Sequence, residues 1–137
     1  YKSVYMKNIA QLFWLLSDET RLRILLLLAR EELFVCQLMA VLGISQPLVS
    51  RNIALLWEAG LLEERRQGKM VFYHVKKDLH AAAAQVLQVL KKQLKDDPMI
   101  ARDMQSLKDC KEFQKKTGAC DMKTFLAFME KQRAKRA

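Results

Sequence analysis

The stretch Leu42-Gly43-Ile44-Ser45-Gln46-Pro47 constrains this chain more than any other, because it lets two helices meet only through a very tight turn. On its near side, residues 34–42 read as a short helix that Gly43 stops. On its far side Ser45 offers an N-cap hydroxyl, and Pro47 falls in the first helical turn, where its missing N–H costs nothing. That second helix runs to the neighbourhood of Gly60. Residues 61–66 then alternate in polarity, Gln67-Gly68-Lys69 turns, and residues 70–75 resume as a strand, which makes a two-stranded hairpin. Two short helices on a glycine turn with a hairpin behind them are the parts of a winged helix-turn-helix.

The flanking segments supply the body that carries such a motif. Residues 4–16 place Ile9, Leu12, Phe13 and Leu16 at helical spacing. Ser17 and Asp18 can cap the next helix, residues 19–30, whose run of Leu22, Ile24 and residues 25–28 is apolar all round and therefore belongs at the centre of the core. After the hairpin, Asp78 can cap a helix in which Leu79, Ala82, Val86, Leu90 and Leu94 share one face, and Asp96-Asp97-Pro98 ends it. The expectation is a mainly α fold of order α-α-α-α-β-β-α over residues 1–97. An extension over residues 98–137 follows, with two helices, about 99–113 and 122–136, around a link containing Gly118.

Charge points to the partner. Lys and Arg number 24 against 15 Asp and Glu, a net charge of +9, which favours an anionic partner such as nucleic acid or an acidic membrane surface. The apolar runs are far too short to span a bilayer, and no signal-peptide core follows Tyr1-Lys2-Ser3, so a soluble cytoplasmic protein without a membrane role is expected. In a winged helix-turn-helix the first turn of the second helix enters the major groove. Ser45, Gln46, Pro47, Ser50, Arg51 and Asn52 are then the residues that reach bases or phosphates, while Leu48, Val49, Ile53, Leu55 and Leu56 hold the helix to the core. Arg65, Arg66 and Lys69 sit at or beside the hairpin tip, where a wing follows the phosphate backbone. No nucleophilic triad, phosphate loop or paired-carboxylate pattern accompanies them, and an enzyme is not expected.

The segments "LSDETRLRILLLL" and "FVCQLMAVLGISQPLVSRNIALLWEAGLLEERRQGKMVFYHV" together resemble the ArsR/SmtB family of bacterial transcriptional repressors, over roughly residues 9–95. The resemblance implies a homodimer, paired through the first and last helices of the core, that occupies double-stranded promoter DNA and leaves it when a metal, a metalloid or another signal binds. An apolar face on the helix after the hairpin, left over by one small core, independently favours pairing. The chain departs from two signal-binding patterns of the family. Where members sensing arsenite or soft metals carry Cys-Val-Cys, it has Phe34-Val35-Cys36. Where members sensing zinc, nickel or cobalt carry Asp-x-His and two later ligands, it has Asp78-Leu79-His80, but Lys91 and Leu94 stand at the second pair. Asp78 then reads as a helix cap and His80 as a first-turn residue.

Three cysteines are too odd a count for a disulfide framework, and reduced thiols fit better. Cys110 and Cys120 lie in the extension, which carries ten Lys or Arg against five Asp or Glu. With Cys36 they make three sulfur ligands, a number that suits a soft trigonal centre such as As(III) or Sb(III). Lys108, Lys111, Lys115 and Lys116 around Cys110 are expected to lower its pKa. Cys36 reads equally well as a small buried hydrophobe. Cys110 and Cys120 without Cys36 would equally serve a two-thiol site for an organoarsenical, or a disulfide or persulfide switch; the alternative of another class is a winged-helix protein-interaction module without DNA affinity. Met99, Met104, Met122 and Met129 read as packing residues, His74 as part of the wing, and the terminal "KQRAKR" run as a solvated tail.

Overall fold

The computed structural model describes residues 4–117 and 122–136. In chain order the elements are α1 (Val4–Leu15), α2 (Glu19–Arg30), α3 (Val35–Leu42), α4 (Gln46–Glu58), β1 (Leu62–Gln67), β2 (Met70–Val75), α5 (Ala81–Gln93), α6 (Pro98–Thr117) and α7 (Met122–Arg136). The expected mainly α winged helix-turn-helix is present, with the hairpin as its two-stranded antiparallel sheet.

The core follows from α2. Ile24, Leu25, Leu26, Leu27 and Leu28 are all buried, so this helix is surrounded, as its all-round apolarity requires. Its start is fixed by Asp18, whose carboxylate accepts the Arg21 N–H at 3.0 Å. Around it, α3 buries Leu38, Met39, Val41 and Leu42, and α4 adds Val49, Ile53 and Leu56. Gly43 ends α3 at φ 69° and donates its N–H to the Met39 carbonyl at 2.8 Å, a left-handed conformation that a side chain would strain. The chain bends by 115° between α3 and α4.

The hairpin register pairs Leu62 with Val75 and Gln67 with Met70. Gly68, at φ 60°, takes the first of the two turn positions, where a primed hairpin turn needs a positive φ. A short bridge between Leu33 and Tyr73 anchors the hairpin to the segment that joins α2 and α3.

Several expectations are corrected. On α1 the buried residues are Leu12 and Leu15, whereas Ile9 and Phe13 are exposed, as are Tyr5, Met6 and Trp14. Leu48 is also exposed rather than in the core. The cap of α5 is His80, not Asp78: its ring nitrogen Nδ1 accepts the Ala83 N–H at 3.3 Å. Asp97 starts α6 rather than ending α5, accepting the N–H groups of Met99 and Ile100 at 2.9 and 3.2 Å. The helix it starts is longer than expected and reaches Thr117.

α6 packs on α2 and α3, and α7 on α3 and α6. Leu107 and Cys110 from α6 and Met129 from α7 join the core, and Phe113 stacks on Phe128 with ring centroids 4.2 Å apart. Polar ties reinforce the contact. Arg23 pairs with Asp103, Lys111 with Glu31, and Gln37 Nε2 donates to Gln114 Oε1 at 2.9 Å. Among the described residues no single helix is long and apolar enough to cross a membrane.

Candidate nucleic-acid interface and thiol pair

The inner stripe of α4 is Val49, Asn52, Ile53 and Leu56, the i, i+3, i+4, i+7 spacing of one helical face. Everything that faces outward at its front follows from that stripe. Ser45, Gln46, Pro47, Ser50 and Arg51 are exposed. Ser45 occupies the N-cap, but its hydroxyl makes no cap hydrogen bond.

Asn52 is placed differently from the sequence expectation. It is 3% exposed, its Nδ2 donates to the Leu48 carbonyl at 3.0 Å, and its Oδ1 accepts from Arg21 Nη1 at 3.3 Å. Arg21 in turn donates from Nε to the Leu15 carbonyl at 2.6 Å and lies 5.0 Å over the Trp14 ring. Asn52 therefore ties α4 to α2 and the end of α1, and it leaves the set of residues able to touch DNA. Arg21 went unnoticed in the sequence because its partners lie 6 and 31 residues away.

The wing carries Arg65 and Arg66 on β1 and Lys69 in the turn, all exposed. Arg65 is already engaged: Glu32 accepts two of its donors, Nε at 3.0 Å and Nη2 at 2.6 Å, and the guanidinium lies 4.6 Å over the Phe72 ring. The pairing holds the Glu32 carboxyl below its ordinary pKa and Arg65 above its own, in each case chiefly through the side-chain hydrogen bond. Glu32 thus sets the aim of a wing arginine, a role with no sequence signal because the pair spans 33 residues. Arg66 faces Glu64 at 3.9 Å. His74 belongs to the wing, as its spacing indicated, with Nδ1 2.9 Å from the Val75 carbonyl oxygen.

Of the three cysteines, Cys36 is half-buried in the first turn of α3, Cys110 is fully buried on α6, and Cys120 lies outside the described residues. Cys36 and Cys110 lie on α3 and α6, two helices in contact, and a charge on Cys36 opposes ionisation of Cys110. The Cys110 thiol is pushed up to about 12, first by burial, then by Cys36 and Asp109. This reverses the expected lowering. Lys108, Lys111, Lys115 and Lys116 all face solvent, where water screens them, and desolvation of the thiolate wins. Among the described residues no three His, Cys, Asp or Glu side chains converge to hold a metal ion. The two sulfurs present are soft donors and suit a thiophilic centre better than a hard cation.

Comparison with known proteins places this geometry. A family profile described as "Bacterial regulatory protein, arsR family" matches residues 18–64, from the cap of α2 to the start of the wing. The chain is 51% identical over 78 residues to the arsenical resistance operon repressor of Escherichia coli strain K12, covering 56% of this chain and 67% of that one. It is 52% identical over 64 residues to the arsenic resistance transcriptional regulator ArsR1 of Pseudomonas putida strain KT2440, covering 46% and 50% respectively, so the match spans between half and two thirds of these relatives. Among solved structures, the homodimeric winged helix-turn-helix DNA-binding domain Mb0332 from Mycobacterium bovis superposes with a TM-score of 0.56 at 27% identity, over 68% of this chain and 90% of that one. Helix order, wing and sequence agree with transcriptional regulators rather than enzymes, and the chain belongs to the arsR family of bacterial regulatory proteins.

Proposed function

We propose that this chain is a promoter-binding repressor that works as a homodimer in the bacterial cytoplasm and is released from double-stranded DNA when trivalent arsenic, or another thiophilic metal or metalloid, binds its cysteines. The observation that carries the DNA reading is the outward front of α4, from Ser45 to Arg51, standing beside a wing whose tip is basic. Gln46, Ser50 and Arg51 face the bases of the major groove, with Ser45 and Pro47 at its entrance. Arg66 and Lys69 take phosphates, joined by Arg65 to the extent that Glu32 lets it go.

Dimerisation is supported by α1 and α5, which leave Val4, Tyr5, Met6, Ile9 and Val89 exposed. A second copy covers such a surface and sets two recognition helices about one DNA turn apart. Residues 1–97 in this reading bind DNA and pair, and residues 98–137 supply Cys110 and Cys120 as thiol ligands in addition to Cys36. The names of the Escherichia coli and Pseudomonas putida relatives, both tied to arsenic resistance, support the choice of inducer. Ligand binding releases DNA only by favouring a subunit arrangement that fits the operator less well, so inducer and DNA must weaken each other equally.

The test is a binding isotherm on the chain's own upstream DNA across salt concentrations. A steep fall in affinity with salt, flattened by Lys69→Ala and Arg66→Ala, supports phosphate contact by the wing. Salt-independent binding or none contradicts it and favours a protein-interaction module.

A further inference from the structure

The extension does not close completely onto the body of the fold. The end of α2, the end of α5 with the link after it, and the first turns of α6 wall a cleft of about 340 Å3, within the range of about 300–1,000 Å3 that small-molecule sites occupy. Its floor is apolar: Leu26 is buried, and Ala29, Leu94, Ile100 and Met104 are half-buried. Its rim is cationic, made by Arg30, Lys91 and Lys95, all exposed. Among the described residues no carboxylate lines the cleft, and none of these three cations has an ion-pair partner. Asp97, two residues beyond Lys95, is turned to the α6 backbone, where it accepts the Met99 and Ile100 N–H groups.

A second cleft, of about 290 Å3, shares Ala29 and Lys91 with the first and adds Lys76 and Lys77 from just after β2. Lys91 therefore stands where the two meet, and positive potential accumulates around it. On α5, Lys91 and Leu94 continue the line of Ala83 and Leu87, both buried against the core. Val89, exposed and two residues from Lys91, lies on the opposite side of the helix. A second copy seated on Val89 leaves the cleft open.

We propose that this junction of α2, α5 and α6 binds a monomeric amphiphile with one carboxylate head and an unbranched alkyl tail, in chemical class a medium-chain fatty acid. The head sits at Lys91, flanked by Arg30 and Lys95, and the tail lies along Leu94, Ile100 and Met104. Clustered cations with no counter-charge hold an anion that a single exposed lysine would hold only weakly. The floor gains by exchanging water for hydrocarbon, and the aliphatic stems of Lys91 and Lys95 extend it while their ammonium groups stay at its edge. Met104, unbranched and adaptable, conforms to a flexible tail. An inorganic anion draws nothing from the floor and an aliphatic alcohol nothing from the rim, so the amphiphile is the ligand that uses both.

Lys91, Lys95, Ile100 and Met104 all fall outside residues 18–64, so the site draws on what this chain adds to the matched segment. The probe is decanoate, kept below its micelle concentration and added to the reduced full chain, with binding followed by calorimetry and by methyl NMR. One decanoate per subunit is expected, with shifts at the methyls of Ala29, Ile100 and Met104 and none at Val89, and a higher thermal midpoint in its presence. Lys91→Glu and Lys95→Glu should each weaken binding by about tenfold. Lys92→Glu makes the same charge change at an exposed position that lines neither cleft, and should weaken it by less than about twofold. All three lysines are exposed, so the variants keep the fold. Decyltrimethylammonium, with the tail but the opposite head, and acetate, with the head but no tail, should both bind far more weakly than decanoate. Equal losses in Lys91→Glu and Lys92→Glu would reduce the effect to the net charge of the chain and overturn the site. Equal binding of the cationic analogue, shifts confined to the Val89 side of α5, or uptake seen only on phosphatidylglycerol vesicles and not with monomeric decanoate would overturn it as well.

Discussion

Arg23 holds both carboxylate oxygens of Asp103, Nε to Oδ2 at 2.9 Å and Nη2 to Oδ1 at 2.8 Å, and so fastens α6 to α2 across 80 residues of sequence. Asp103 is 2% exposed, and removing it strands a guanidinium in a largely closed contact. Asp103→Ala should therefore lower unfolding free energy by about 3 kcal/mol. The exposed Lys111–Glu31 pair of the same helix is worth much less, and Lys111→Ala should cost under about 1 kcal/mol. Urea unfolding of both variants measures the difference; equal losses would mean that burial of the Arg23–Asp103 pair is not what fixes α6.

Asn52 supplies a second stability prediction, one that separates structure from DNA contact. Asn52→Ala removes the acceptor that Arg21 uses and the donor to the Leu48 carbonyl, and should destabilise the chain by about 1–3 kcal/mol. Arg51→Ala, one residue away and exposed, should leave stability within about 0.5 kcal/mol and cost specific over non-specific DNA binding about 1–3 kcal/mol. The opposite pattern in thermal unfolding and competition binding would put Asn52 on the DNA and Arg51 in the scaffold.

Glu32 restrains a wing arginine, so the account expects a gain of function. Glu32→Gln removes the charge that Arg65 neutralises, and the DNA affinity of the variant should rise at low salt. Its salt dependence should steepen by about one released counterion. The slope of log affinity against log salt reads this directly, and a slope equal to wild type would show that Arg65 is not near phosphate.

Cys110 gives the chain a pH dependence at the alkaline end. Its thiol ordinarily ionises near 9.0 and in the fold is pushed up to about 12. Below the lower value both folded and unfolded chains hold the proton, and the full stability is present. Between the two values the unfolded chain releases it and the folded chain does not, so unfolding free energy falls as pH rises through this window. Urea midpoints taken at about pH 8 and about pH 10 should drop more for wild type than for Cys110→Ala. Parallel drops would mean that the thiol ionises in place.

The helix-turn-helix was legible because its signals are local: Gly43 at a positive φ, Pro47 in the first turn and Gly68 in the hairpin each act on their own backbone. The choice between Asp78 and His80 as the cap of α5 was not, since both can accept a backbone N–H and only the path of the chain decides which reaches one. The docking of α6 was hidden for a different reason. Its inner side includes Asp103, Ser106 and Gln114 as well as Leu107 and Cys110, so no clean apolar stripe marks it, and Asp103 and Gln114 find their partners on α2 and α3. The same docking reversed the expectation for Cys110, because lysines near it in sequence turn outward while the thiol turns in.

The most direct test is a DNA-release titration of the fully reduced chain on its own promoter, with arsenite, phenylarsine oxide, Zn(II), hydrogen peroxide and polysulfide added separately. The account predicts release by the trivalent arsenic species, lost when Cys36 or Cys110 is replaced by alanine, with Zn(II) and the oxidants without effect. Release by peroxide or polysulfide alone, or a complex that no thiophilic species disturbs, would contradict it.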